Sequence, residues 1–252
     1  MQKYLAIIDK KTGYVFLLCI VISYFCLQFN FSYDLNVTLF SIAVIFPLVF
    51  TIREAFRKRT SVISLLSVFK SSLNAIYYCF ANNNKLSDEN KQIVAEKLHA
   101  ISHLFFDALT GAEQDVQKVN SKLSEVMEFV SANRDTISNG VALKIIRFVK
   151  DVDESIENTI GLKMHGTPIS LRAYCLVFIY LFPFVFIPTL INDLTITSGW
   201  IVYVLAVIHG FILISLYNVQ DHIENPFDQI GLDDIKLEEF HFEKSTTLAE
   251  ES

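Results

Sequence analysis

Glycine and tryptophan are scarce in this chain, with 8 and 1 of 252 residues, and proline contributes only 5. So little glycine leaves no material for phosphate-cradling loops or flexible active-site loops. Catalytic signatures are missing too. There is no His-Glu-x-x-His pair, no Gly-x-Ser-x-Gly elbow and no pair of carboxylates within an apolar run, so the chain reads as a non-enzyme without a cofactor. The four cysteines, Cys19, Cys26, Cys79 and Cys175, lack the paired spacing of a zinc site or a secreted disulfide scaffold; small apolar packing residues are their simplest role. Net charge is −6 with no basic patch interleaved with aromatics, which argues against a nucleic-acid partner.

What is abundant is apolar. Hydrophobic residues make up 52% of the chain, 22 of them Phe, and mean hydropathy is +0.40. They cluster into four nearly charge-free runs: Tyr14 to Phe31, Val37 to Ile52, Leu171 to Ile191 and Trp200 to Val219. Each approaches the roughly 20 residues a helix needs to cross a hydrocarbon core, which predicts four transmembrane helices in a lipid bilayer. The second run is short before Arg53 and would need a thin or protein-lined stretch. The first, preceded by Lys3, Lys10 and Lys11, has the alternative reading of a signal peptide, but it is long for one and no small-x-small cleavage pattern follows. Arg53, Arg57, Lys58 and Arg59 follow the second run, while "FSYDLN" and "NDLTITSG" carry no Lys or Arg, so both termini and the central segment are expected on the cytoplasmic side.

Four regions follow: residues 1–52 with spans one and two, a soluble helical region at 53–166, spans three and four at 167–219, and an acidic segment at 220–252. In the central region Ser87 is placed to cap a helix carrying Val94, Leu98, Ile101 and Phe105 on one face. A second stripe runs through Val116, Val119, Leu123, Val126 and Val130, and a third through Ile145, Val149, Val152, Ile156 and Ile160. Such narrow stripes want partner helices, within the subunit or across a subunit interface. No Gly or Pro breaks "FRKRTSVISLLSVFKSSLNAIYYCF" after span two, so that span is expected to continue as one long helix; Gly161, Gly166 and Pro168 mark the return to the membrane. The fold class is all-α, a four-helix membrane layer continuous with a cytoplasmic helical layer.

Several side chains have two readings. His99, His103 and Asp107 recur every fourth residue, a line that can hold a metal ion but faces away from the apolar stripe and is most simply a solvated face or subunit contact. His209 lies mid-span, either a neutral histidine hydrogen-bonded between helices or part of a transport path, and Pro183 and Pro188 should kink span three. In span two Ile42, Phe46 and Phe50 form one drifting stripe. Ordinary packing or lipid contact explains it; around a shared axis the same stripe would make stacked hydrophobic rings that gate ions by dewetting.

Three stretches together resemble the bestrophin family, particularly its bacterial members: "FTIREAFRKR" after span two, "TPISLRAY" followed by "YLFPF" at span three, and "IENPFDQIGLDDIKL" after span four. Their order and spacing hold from about Val37 to Phe240. The resemblance implies a homopentamer conducting ions passively through an axial pore in the cell inner membrane, with anions such as chloride expected; the alternatives are a cation-conducting homologue or a non-conducting, membrane-anchored interaction protein. It puts Ile42, Phe46 and Phe50 on the pore neck, Ile169 at the cytoplasmic aperture, and Asn225, Pro226, Phe227, Asp233 and Asp234 in a post-membrane motif, where Pro226 should stop the fourth helix and Phe227 tuck inside. Asp221, Glu224, Asp228, Asp233 and Asp234 either draw cations or are simply solvated. The chain departs from the family at Asp228 and Ser170, which stand where Gly and Pro are usual, and lacks the tryptophan pair after span two. Gln229, Ile230, Gly231 and Leu232 interrupt the acids, so no metal and no calcium gating are expected.

Overall fold

The computed structural model describes residues 7–111, 116–193, 199–228 and 234–243, and among them all regular structure is helical. The helices are α1 (Lys10–Gln28), α2 (Val37–Ala81), α3 (Asp88–Thr110), α4 (Val116–Ala132), α5 (Asn139–Met164), α6 (Ile169–Asp193) and α7 (Trp200–Glu224), with a 3-10 turn at Leu237–Phe240. Four stretches are long and apolar enough to cross a membrane: α1, α2, α7 and the part of Asn139–Asp193 that is α6. As expected, α2 runs on without a break, for 45 residues, and accommodates Pro47.

The boundaries differ from the apolar runs for local reasons. α1 begins at Lys10 because Asp9 caps it in a capping box with Thr12, whose hydroxyl accepts from the Asp9 N–H at 3.3 Å. It ends at Gln28, and Asn30 then takes a left-handed conformation (φ 50°) that a short polar side chain tolerates. α7 continues past Val219 to Glu224 and stops there because the residue before Pro226 is biased away from helix.

The described residues divide into two compact units: those up to Arg59 together with Gly166–Asp234, and Thr60–His165 together with those from Ile235 onward. In the first unit α1 packs on α6 and α7, and α6 on α7. α1 buries Val15, Cys19, Ile22 and Cys26 in one cluster with Cys175 and Ile179 of α6, Val202, Ala206 and Ile214 of α7, and Val44 and Leu48 of α2. Three of the cysteines are therefore apolar packing residues. Phe40 of α2 meets Phe178 and Phe182 of α6 with ring centroids 5.8 and 6.2 Å apart. At Gly210 any Cβ would sit 2.9 Å from both Cys19 Sγ and Val15 Cγ1, so the α1–α7 approach depends on that glycine. Outward, Leu17, Ile20, Phe25, Val177 and Ile212 are exposed.

The second unit is a helical bundle. α2 buries Val62, Leu66, Phe69, Leu73, Ile76 and Phe80, alternating steps of four and three. The expected stripe of α3 is buried throughout; on α4 and α5 only Val116 and Val149 are less than fully buried. Phe69 lies 4.6 Å from Phe105 with the rings tilted by 43°, and Phe80 meets Phe129 at 5.8 Å, so the stripes find partners within the chain. Ser87 caps α3, its Oγ accepting from Asn90 N at 3.3 Å. At the other end Lys163 Nζ donates to the carbonyls of Ala108 (3.1 Å) and Gly111 (3.2 Å), which α3 itself leaves unpaired. A strap, residues 235–243, buries Ile235, Leu237 and Phe242, and Lys70 donates to the Glu239 carbonyl at 2.8 Å.

Candidate pore-lining face

Ile42, Phe46 and Phe50 lie in a line on α2 and are 48%, 59% and 53% exposed, whereas Val44, Leu48 and Ala55 on the same helix are fully buried. Steps of four advance 400° on a helix of 100° per residue, so each ring sits nearly above the last. The Phe46 and Phe50 centroids are 5.9 Å apart. The line then changes character. Arg53 and Arg57, three and then four residues on, are both exposed, and Arg57 pairs with Glu54 at 3.1 Å. α2 thus presents a greasy stripe ending in guanidinium groups, with exposed Ile45 and Val49 widening its apolar part.

A contact with no signal in the local sequence ties the middle of this helix to α7. Glu224, the last residue of α7, is buried, and Lys58 Nζ donates to its carboxylate at 3.3 Å and to its carbonyl at 2.9 Å. The Thr167 N–H and hydroxyl donate to the two carboxylate oxygens at 2.7 and 2.6 Å. The Lys58 and Glu224 side chains are 11% and 8% exposed, so this is a desolvated ion pair, tolerable because hydrogen bonds satisfy the carboxylate. Gly166 makes room for it: a Cβ there would stand 2.2 Å from Glu224 Oε1. One carboxylate therefore joins the middle of α2, the turn into α6 and the end of α7.

For two of the acids that geometry corrects the reading as solvated or cation-drawing. Glu224 is taken by Lys58 and Thr167, and Asp221 by Lys11 at 2.8 Å and by Arg172. These polar residues lie on the inward side of α7, where Asn218 also donates to the Ile7 carbonyl and to Thr12. Ile169, the first residue of α6, is 84% exposed. Asn225 follows α7 and donates to Asp228 at 2.8 Å; Phe227 is buried, as expected after Pro226. Asp234 is partly exposed, and Asp233 lies outside the described residues.

His209 differs from its expectation. Its Nδ1 donates to Leu205 O at 2.8 Å within its own helix, and its ring lies 4.4 Å from Phe186, so it bridges helices by ring contact and not by a hydrogen bond. His99 and His103 are exposed and 3.2 Å apart between Nε2 atoms, with Asp107 exposed one turn on. Among the described residues no group of three or more His, Cys, Asp or Glu is arranged to hold a metal ion.

Together these features define, among the described residues, a multi-pass, all-helical membrane protein with an exposed aromatic face. The sequence matches no protein-family model and no curated protein. Its fold is that of the bacterial bestrophin homologues. A singly substituted bacterial bestrophin homologue from Klebsiella pneumoniae superposes with a TM-score of 0.78 at 15% identity, over 91% of this chain and 92% of that one. A second such variant gives 0.74 at 15% identity, over 92% and 95%. A crystal structure of a membrane protein gives 0.76 at 14% identity, also over 92% and 95%.

Proposed function

We propose that this chain is one subunit of a homopentameric, passive channel of the cell inner membrane that conducts anions such as chloride, with both termini cytoplasmic. The observation that carries the reading is the line on α2, apolar through Ile42, Phe46 and Phe50 and cationic at Arg53 and Arg57, on a helix whose other side is buried. One stripe per subunit lines a pore only if copies surround an axis, and the stripe then becomes three stacked apolar rings. Stacked apolar rings of this kind can gate by dewetting, and aromatic rings offer electropositive edges to a passing anion. Past the neck the guanidinium of Arg53 raises the local anion concentration, while Arg57 shares its charge with Glu54. A cation pathway would need free carboxylates there, and Asp221 and Glu224 are already paired. Ile169 narrows the cytoplasmic exit, while Asn225, Pro226 and Phe227 serve the return of the chain from α7.

The test is reconstitution into liposomes, with reversal potentials read across asymmetric chloride and then asymmetric sodium. Chloride should dominate, Phe46→Ala and Phe50→Ala should raise conductance severalfold with pentamers retained in native mass spectrometry, and Arg53→Gln with Arg57→Gln should reduce the preference for chloride. Sodium-dominated potentials would mean a cation channel. Intact rings that pass neither ion would leave the membrane-anchored interaction protein as the reading.

A further inference from the structure

Three imidazoles from two distant parts of the chain meet on α3 in the second unit. His99 and His103 share a 3.2 Å contact between Nε2 atoms, with ring centroids 4.3 Å apart. The ring of His241, from the strap, lies 4.8 Å from that of His103 and 4.3 Å from that of Phe106. His241 is pinned in this position. Its Nδ1 is 3.4 Å from Ser102 Oγ, and the same oxygen accepts from the N–H of Phe242 at 3.0 Å. Phe242 is buried, its ring 5.8 Å from Tyr77 of α2. The third imidazole therefore stands at the strap's anchoring point.

We propose that His99, His103 and His241 form a proton-sensitive latch, which holds residues 235–243 on α3 at neutral pH and loosens them on acidification. A hydrogen bond between two Nε2 atoms needs one N–H and one lone pair, so the His99–His103 contact holds two imidazoles together beside His241. A charge on His241 would then stand against that pair. The other charged groups that act on it are Asp107 on α3 and Glu238 on the strap; Glu96 of α3 lines a cavity with His99 and Phe242, and Lys70 of α2 is bonded to the carbonyl of Glu239. Burial comes first and the two neighbouring histidines next; together they outweigh Asp107 and Glu238 and hold His241 below the ordinary histidine range. The sign follows. Released, His241 takes up its proton near the ordinary value of about 6.5; docked, it resists until lower pH. Docking is therefore strongest above that value and weakens as pH falls through it.

Hydrogen–deuterium exchange of the full chain in detergent micelles, normalised to a free peptide of the strap sequence, tests the latch from about pH 7.5 to about pH 5.5, either side of the histidine value of about 6.5. Protection of 235–243 should fall severalfold in the native protein and stay level in His241→Gln. If His241→Gln leaves the strap unprotected at both pH values, His99→Gln with His103→Gln decides: the strap should stay docked with a smaller fall. Level protection in the native protein overturns the proposal, as does an undiminished fall in either variant.

Discussion

Ile20 on α1 and Gln117 on α4 hold equivalent places: each is exposed, and each comes two residues before a buried stripe residue, Ile22 and Val119. One is apolar and the other is an amide. The same contrast runs through both units. Inward, α1 buries Val15, Cys19, Ile22 and Cys26, and α4 buries Val119, Leu123, Val126 and Val130, both by steps of three and four. Outward, the first unit shows Leu17, Phe25 and Ile212, while the second shows Glu96, Lys118, Glu128 and the i,i+4 pair Lys150–Glu154. The inward pattern makes the helices pack, and the outward one selects their solvent, hydrocarbon or water.

The largest effect should come from making one substitution on an inward and on an outward site. Phe69→Ala removes a fully buried ring and should destabilise the second unit by about 3 to 5 kcal/mol, measured by denaturant unfolding, whereas Phe50→Ala should cost well under that. Equal costs would break the comparison. A charge placed outward sharpens it further: Ile20→Lys should cost about 2.5 to 3.5 kcal/mol of membrane insertion, and Gln117→Lys should stay within about 0.5 kcal/mol in unfolding. Next, Lys163→Met strips α3 of a donor to two carbonyls, and the second unit should lose about 1 kcal/mol. The smallest effect concerns Glu125, whose carboxyl is held below its ordinary range by hydrogen bonds from Lys122 and then Lys97. Its contribution is present above the ordinary carboxylate value and fades as pH falls through the depressed one, so melting curves of the native protein and Glu125→Gln should converge in acid.

Much of this fold is written in local pattern. Runs of apolar residues near bilayer length located α1, α2, α6 and α7, and three-and-four spacing located the stripes of α3, α4 and α5, because burial on one side of a helix is a property of neighbours in sequence. Ser87 was readable as a cap for the same reason. Boundaries were less so. Lys10 and Lys11 hid the start of α1, and Gln220, Asp221 and His222 hid the end of α7, since their polarity resembles a solvated tail until Arg172, Lys11 and Lys58 are seen to neutralise the acids. At the candidate site, periodicity revealed the line of Ile42, Phe46 and Phe50 but not what it faces. The Glu224 junction and the approach of His241 to His103 have no local signature at all, because their members lie far apart in the sequence.

That separation sets an order of assembly. Lys58 and Glu224 are 166 residues apart, and Thr167 is 57 residues from the same carboxylate. During synthesis the ammonium of Lys58 emerges long before its counterion exists, and it must stay hydrated until the final span arrives. The junction thus works as a completion check: a chain that stalls or is cut before residue 224 carries an uncompensated cation midway along its longest described helix, and that leaves truncated protein distinguishable from finished protein by charge alone.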